Sequence, residues 1–428
     1  MPQGFGAGNF SRPAKPDPPQ IDSVMLRVSV RQMSAPSPTR STDPTVYPII
    51  LAIAFCHMAN DLMQSLIPAL YPILKSELAL TFAQIGLITF VFQGTASILQ
   101  PIIGYVTDKR PLPYSLPFGM ALTLCGIIML AHAQSFALVL CAVALIGSGS
   151  SVFHPDSSRI ARLAAGPRPG FAQSFFQVGG NTGSALGPLA AGLIVVPFGQ
   201  ISIEWFGVVA LIGIFILALV GRWYAVEGLN RMRAARARAT TNPLPRLRTT
   251  LAISILLILM FSKFVYTGAY SSYYTFYLIE KFGLRVPDAQ FYLFVFLAFV
   301  AIGTMIGGPI GDRIGRKRVI WVSILGVAPL SLVIPHVGFW PTIMLSSLAG
   351  MILASAFPAM VVYAQDLLPT RVGMIAGLLF GFAFGMGAIG AAGLGWMADA
   401  TSISHVFWLT GFLPLLGVLA VFLPDVKA

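Results

Sequence analysis

IEWFGVVALIGIFILALVGRWY, residues 203–224, carries no ionisable side chain between Phe206 and Gly221. At 1.5 Å of rise per residue, a helix of about 20 such residues crosses a hydrocarbon core of roughly 30 Å. Twelve stretches of this kind occur, at about 47–70, 84–107, 114–133, 136–160, 171–197, 203–224, 250–279, 289–311, 318–336, 340–363, 371–398 and 404–423. The chain is 56% hydrophobic and 10% charged, whereas a soluble domain carries about 25% charged residues. A membrane β-barrel would need segments of about ten residues with alternating polarity, a pattern not found here. The expectation is an all-α polytopic membrane protein with twelve transmembrane helices, and transport is its leading function.

A formal net charge of +12 would suggest nucleic acid in a soluble chain. With the N-terminus inside, however, the 27 Lys and Arg all fall on the inner side except Lys75, Lys281, Arg285 and the intraspan Lys263. That bias puts both termini in the cytoplasm and removes the warrant for nucleic acid. Residues 1–45, rich in Pro, Ser and charge, read as a disordered cytoplasmic tail with no signal peptide. Residues 225–249 hold Arg231, Arg233, Arg236, Arg238, Arg246 and Arg248 and read as a basic linker against anionic headgroups, with room for an interfacial helix ahead of Pro243. It separates a six-helix bundle at 46–224 from a second at 250–423, which ends in a cytoplasmic C-terminus at 424–428. Cys56, Cys125 and Cys141 lie in apolar stretches without metal-site spacing and read as packing residues.

The two bundles are related by an internal repeat. Gly104-Tyr-Val-Thr-Asp108-Lys109-Arg110 follows the second span, and Gly308-Pro-Ile-Gly-Asp312-Arg313-Ile-Gly315-Arg316-Lys317 follows the eighth. An offset of 204 residues superposes Gly104 on Gly308, Asp108 on Asp312 and Phe153 on Phe357. Two parallel six-helix halves are the expected product. These segments resemble the inner-loop signature of the major facilitator superfamily, nearly complete after Gly308 and degraded after Asp108. Asp61-Leu-Met-Gln-Ser, Phe82-Ala-Gln-Ile-Gly-Leu-Ile-Thr, Leu99-Gln-Pro, Thr107-Asp-Lys, Pro113-Tyr-Ser-Leu-Pro, Gly149-Ser-Ser-Val-Phe-His-Pro and Gln173-Ser-Phe-Phe-Gln-Val-Gly-Gly-Asn further resemble the bacterial fosmidomycin resistance efflux proteins. The resemblance covers roughly residues 47–423. It implies the major facilitator fold, alternating access, proton-driven drug export and a place in the bacterial inner membrane.

Polar residues inside the spans supply candidate sites. His57, Asp61 and Gln64 share one face of the first span near mid-membrane. An unpaired carboxylate there costs at least about 2.5 kcal/mol to insert, so the face serves either as a proton site, with His57 and His154 relaying or tuning, or as a static polar network. Lys263, Tyr266, Tyr270, Tyr274 and Tyr277 form one stripe on the seventh span, bordered by Tyr273, and read either as a substrate-cavity lining or as packing. The offset brings Asp61 onto position 265, so Asp61 and Lys263 are expected to face one another across a central cavity. Gln93 with Gln100, and Gln177 and Asn181 beyond Gln173, add polar stripes to that cavity. Asp156 with Arg159, and Asp366 with Arg371, are expected to organise the inner gate alongside Asp108, Lys109, Asp312, Arg313 and Arg316.

The chain has neither a phosphate-binding Walker loop nor a metal-ligand spacing, so no cofactor or metal is expected and an ion gradient supplies the energy. The reading is a transporter rather than an enzyme: a drug:proton antiporter for small amphiphilic compounds, with phosphonates implied by the resemblance. Its partners are the small-molecule substrate, protons and membrane lipids, and a monomer holding both halves suffices. The alternatives are a metabolite uptake permease and a ligand-sensing membrane receptor or scaffold.

Overall fold

The computed structural model describes Gly4 and residues 43–238 and 244–425. Most of the expected tail at 1–45, residues 239–243 of the expected linker at 225–249, and residues 426–428 lie outside the described residues. The described chain is helical: α1 Tyr47–Pro68, α2 Gln84–Lys109, α3 Ser115–Ala131, α4 Phe136–Ala164, α5 Pro169–Phe198, α6 Gln200–Ala237, α7 Arg246–Phe282, α8 Phe291–Ile314, α9 Arg316–His336, α10 Phe339–Leu367, α11 Val372–Ala400 and α12 Ile403–Phe422. Eleven of these are long and apolar enough to cross a membrane, and α3, at 17 residues, is shorter.

Local sequence sets the helix ends. Thr81 and Gln84 form a reciprocal capping box ahead of α2. Ser135 and Ser402 accept from Leu138 N and His405 N at the starts of α4 and α12. Gly283 ends α7 at φ 66°, a left-handed conformation that glycine adopts without a Cβ penalty. The sixth helix runs past the expected end at residue 224, because its basic stretch finds acceptors. Arg231 bonds Glu227 at 2.9 Å and the carbonyl of Pro44 at 3.0 Å, and Arg236 bonds the main-chain carbonyl of Asp108.

Within α1–α6, α1 packs along α5 and α4 packs against α2 and α3; within α7–α12, α7 packs on α11 and α8 on α10. The two sets meet through α2 and α4 against α11, and through α5 against α8 and α10. Large apolar side chains point outward, with Phe90, Phe215 and Met344 about 70% exposed (71%, 67% and 70%). Such a surface aggregates in water but is the ground state against lipid tails. Within a largely apolar interior, His57, Asn60, His154, Asp156, Ser157, Ser158 and Arg159 are buried where the sets converge.

Candidate functional site

Three side chains from two helices meet in that polar interior. On α1, His57 and Asp61 are one turn apart, and His154 comes from the Pro155 turn of α4. His57 Nδ1 donates to the carbonyl of Phe176 on α5 at 2.7 Å, and His154 Nδ1 donates to the carbonyl of Ser150 at 3.0 Å. The two Nε2 atoms stand 3.2 Å apart. Asp61 lies beside both, with Oδ2 3.3 Å from His57 Nε2 and Oδ1 3.6 Å from His154 Nε2. Asn60 and Gln64 donate to Asp61 Oδ1 at 3.1 and 3.2 Å, which fixes the carboxylate's orientation. The His57 ring stacks on Phe176 at 4.0 Å, and His154 packs against Phe380 and Phe384 of α11 at 5.3 and 5.1 Å. A mid-span carboxylate is thus held by two imidazoles, of which one, His154, touches the opposite helix set.

The charges expected to face one another do not meet. Asp61 lies against the imidazoles of His57 and His154, while the Lys263 ammonium lies over the rings of Phe264 and Phe357 at 4.2 and 5.4 Å. Phe380, packed on His154, also packs on Phe357 at 5.2 Å, so an aromatic layer separates the two charges. The tyrosine stripe is likewise not a cavity wall. Tyr266, Tyr270, Tyr274 and Tyr277 are buried, Tyr266 donating to Tyr270 at 3.1 Å and Tyr274 sharing a bond with Ser346 at 2.6 Å. Their rings pack on Phe296 and Phe407. Internal partners for the hydroxyls remove the cost of burying them, so the stripe packs inside α7–α12. The opposite face of α7 lines a cavity of about 310 Å³, with Thr267, Gly268, Ser271 and Ser272 set against Gln93, Phe384 and Gly387. Asn181 bonds Thr304 across the sets at 3.2 Å, and Gln177 is half-buried on α5.

At one end of the molecule two carboxylates reach across to the opposite set. Asp108 accepts from the main-chain N–H of Gly373 and Met374, at the start of α11, at 2.9 and 2.7 Å. Asp312 does the same for Gly170 and Phe171, at the start of α5, at 2.9 and 3.0 Å. Helix N-termini carry unpaired donors and partial positive charge, so each carboxylate acts as a cap supplied in trans. Such close approach needs glycine: a Cβ on Gly104 would run into the backbone of Gly373, and one on Gly308 into that of Gly170. Arg159 bridges Asp108 at 3.3 Å and Asp156 at 2.8 Å. Asp366 pairs with Arg316 at 2.5 Å and with Arg162 across the sets, rather than with Arg371. Arg371 instead precedes α11, Lys109 lies over the Tyr105 ring at 4.2 Å, and Arg313 lines a cleft with Arg168 and Asp312.

The pattern of the Major Facilitator Superfamily matches residues 53–293 and 255–428, nearly the whole described chain. The chain belongs to the major facilitator superfamily. It is therefore a non-enzymatic secondary active transporter, and the fold agrees with that membership. It is similar to the fosmidomycin resistance protein of Escherichia coli (strain K12), with 57% identity over 382 residues covering 89% of this chain and 94% of the relative. It is 44% identical over 383 residues to the uncharacterised MFS-type transporter YfnC of Bacillus subtilis (strain 168), with the same coverage of 89% and 94%. In fold it resembles the transporter FucP in the outward conformation, with a TM-score of 0.69 and 16% identity, over 88% of this chain and 98% of that one.

Several residues of this superfamily member had weak or no signal in the sequence. Arg162 was one basic residue among many, and the carbonyls of Ser150 and Phe176 carry no side-chain code. Thr267 and Ser271, one turn apart, are a small polar stripe that the adjoining tyrosines overshadow. No third partner for His57 and Asp61, one turn apart on α1, was legible, because His154 on α4 reaches them only by folding, with one ligand atom from each within 4.8 Å of the others.

Proposed function

We propose that the protein exports small amphiphilic compounds across the bacterial inner membrane in exchange for protons. The observation that carries this reading is the Asp61–His57–His154 cluster, a mid-span carboxylate whose imidazole partner packs on α11 of the other helix set. A carboxylate in that setting is held for ion traffic rather than for stability. Its change of charge acts on the contact between the two sets.

In this reading α3 is the twelfth span, α1–α6 and α7–α12 are two six-helix bundles, and both termini are cytoplasmic. The Asp108 and Asp312 end is then the cytoplasmic gate, closed here, and substrate enters when those caps release. Gln93, Thr267, Ser271 and Ser272 supply hydrogen bonds in the cavity, with Phe384 as an apolar wall. Gln177, Asn181 and Gln64 extend the polar path. Phe264, over whose ring the Lys263 ammonium lies, also lines the cavity, so Lys263 supplies compensating charge for an anionic group from behind that wall. The similarity to the fosmidomycin resistance protein makes a phosphonate the first substrate to test.

Inside-out vesicles with an imposed pH gradient decide the direction. Export in cells appears there as inward accumulation of drug coupled to proton movement. Asp61→Asn should abolish concentrative accumulation while substrate still binds. Normal accumulation and normal proton flux in that variant overturn the coupling role. Uptake driven in the opposite direction overturns export.

A further inference from the structure

Both imidazoles of the buried cluster spend Nδ1–H on a main-chain carbonyl, at 2.7 Å for His57 and 3.0 Å for His154. A carbonyl accepts and never donates, so each neutral ring carries its lone pair on Nε2. Those lone pairs face each other at 3.2 Å, and the Asp61 carboxylate closes the triangle at 3.3 and 3.6 Å. Three acceptors at that spacing repel unless one ring takes up a proton or a metal cation lies between them. Ligands about 2.0–2.1 Å from a tetrahedral ion stand about 3.3–3.4 Å apart, close to the Nε2–Nε2 edge of 3.2 Å and the His57 Nε2–Asp61 Oδ2 edge of 3.3 Å; the 3.6 Å edge runs to Oδ1, and one ligand atom from each residue lies within 4.8 Å of the others.

We propose that His57 Nε2, His154 Nε2 and Asp61 form a binding site for one divalent transition-metal ion of the Zn²⁺ class, with water as the fourth ligand. Two nitrogens and a carboxylate suit Zn²⁺ and its neighbours, whereas Mg²⁺ and Ca²⁺ require oxygen shells. The supporting shell is in place: the two carbonyls orient the rings, and the amides of Asn60 and Gln64 hold Oδ1, leaving Oδ2 for the ion. Room is also built in, because a Cβ on Gly180 would lie 2.5 Å from His57 Nε2 and 2.8 Å from Asp61 Oδ2. Asp61 remains 9% exposed, while both histidines are fully buried. Occupancy by a divalent ion fixes charge where the proposed cycle exchanges protons, so the ion acts as an inhibitor of transport.

The test uses the purified full-length protein with Zn²⁺ alone, and Co²⁺ as the spectroscopic probe. Saturable binding of one ion per chain is expected, with the intense visible bands of four-coordinate Co²⁺ and no competition from Mg²⁺. His57→Gln and His154→Gln should each weaken binding at least about tenfold, since losing even a group that only orients a ligand costs roughly 10–100-fold in metal affinity. Gly180→Ala keeps all three ligands and fills the space beside them, so it should weaken binding as well. Size-exclusion profiles matching the wild type establish folding. Absent saturable binding, or binding unchanged in both histidine variants, overturns the site. The metal site fails alone if Zn²⁺ does not bind while Asp61→Asn still loses accumulation. Proton coupling fails alone if Zn²⁺ binds as expected while that variant accumulates drug normally.

Discussion

Replacing Asp108 with Asn should open the end of the molecule that the two trans caps hold shut. The carboxylate accepts from Gly373 N at 2.9 Å and Met374 N at 2.7 Å. Asparagine keeps one oxygen, so one N–H stays bonded and the other faces an amide NH₂. Leaving a buried donor unsatisfied costs about 1–3 kcal/mol. Removing negative charge from a helix N-terminus costs a further ~0.3–1 kcal/mol. At about 1.4 kcal/mol per factor of ten, the closed-to-open ratio should fall roughly tenfold to several-hundredfold. Arg159 loses one partner but keeps Asp156 at 2.8 Å, which limits the damage inside α4. Asp312→Asn should act in the same direction. The complete motif after Gly308 suggests that Asp312 is the stronger of the two. The geometry favours Asp108, whose side chain is 6% exposed against 13% for Asp312, so water replaces its lost bonds less readily. Spin labels at the exposed positions Leu112 and Thr370 report the opening as a longer distance population at constant pH and substrate. An unchanged distance distribution in both variants, with normal insertion, would refute the idea of trans caps.

Gly308→Leu should produce the same opening by a steric route, since its side chain would collide with the Gly170 backbone; thiol labelling of cysteines placed inside the gate should accelerate. Tyr270→Ala should destabilise the protein by about 3–5 kcal/mol, as large-to-small changes of buried aromatics do, while leaving substrate affinity unchanged in protein that folds; thermal unfolding and binding curves separate the two effects. Thr267→Val should instead lower apparent substrate affinity with little change in Tm, because its face of α7 lines the cavity. Asp366→Ala should lower the unfolding midpoint by removing the close partner of the buried Arg316, with the loss held below the ~3–5 kcal/mol of a fully unpaired buried charge because Asp312 stays at 3.5 Å.

Membrane insertion, helix positions and the repeat were written in the sequence, because lipid demands about 20 apolar residues per crossing and the 204-residue offset aligns Asp108 with Asp312. That His57 and Asp61 share a face was legible as well, because a helix places residues one turn apart on one side. Which partners those residues take was not. Asp61 faces two imidazoles rather than Lys263, and the tyrosines of α7 pack inward while threonine and serine line the cavity. Periodicity marks a face as distinct but leaves open whether it meets a cavity or another helix, and here that depends on the rotation of α7 against α11. The trans caps and the paired Nε2 atoms depend on main-chain N–H and C=O groups, which every residue shares. Only tertiary packing decides which of them come within hydrogen-bonding distance.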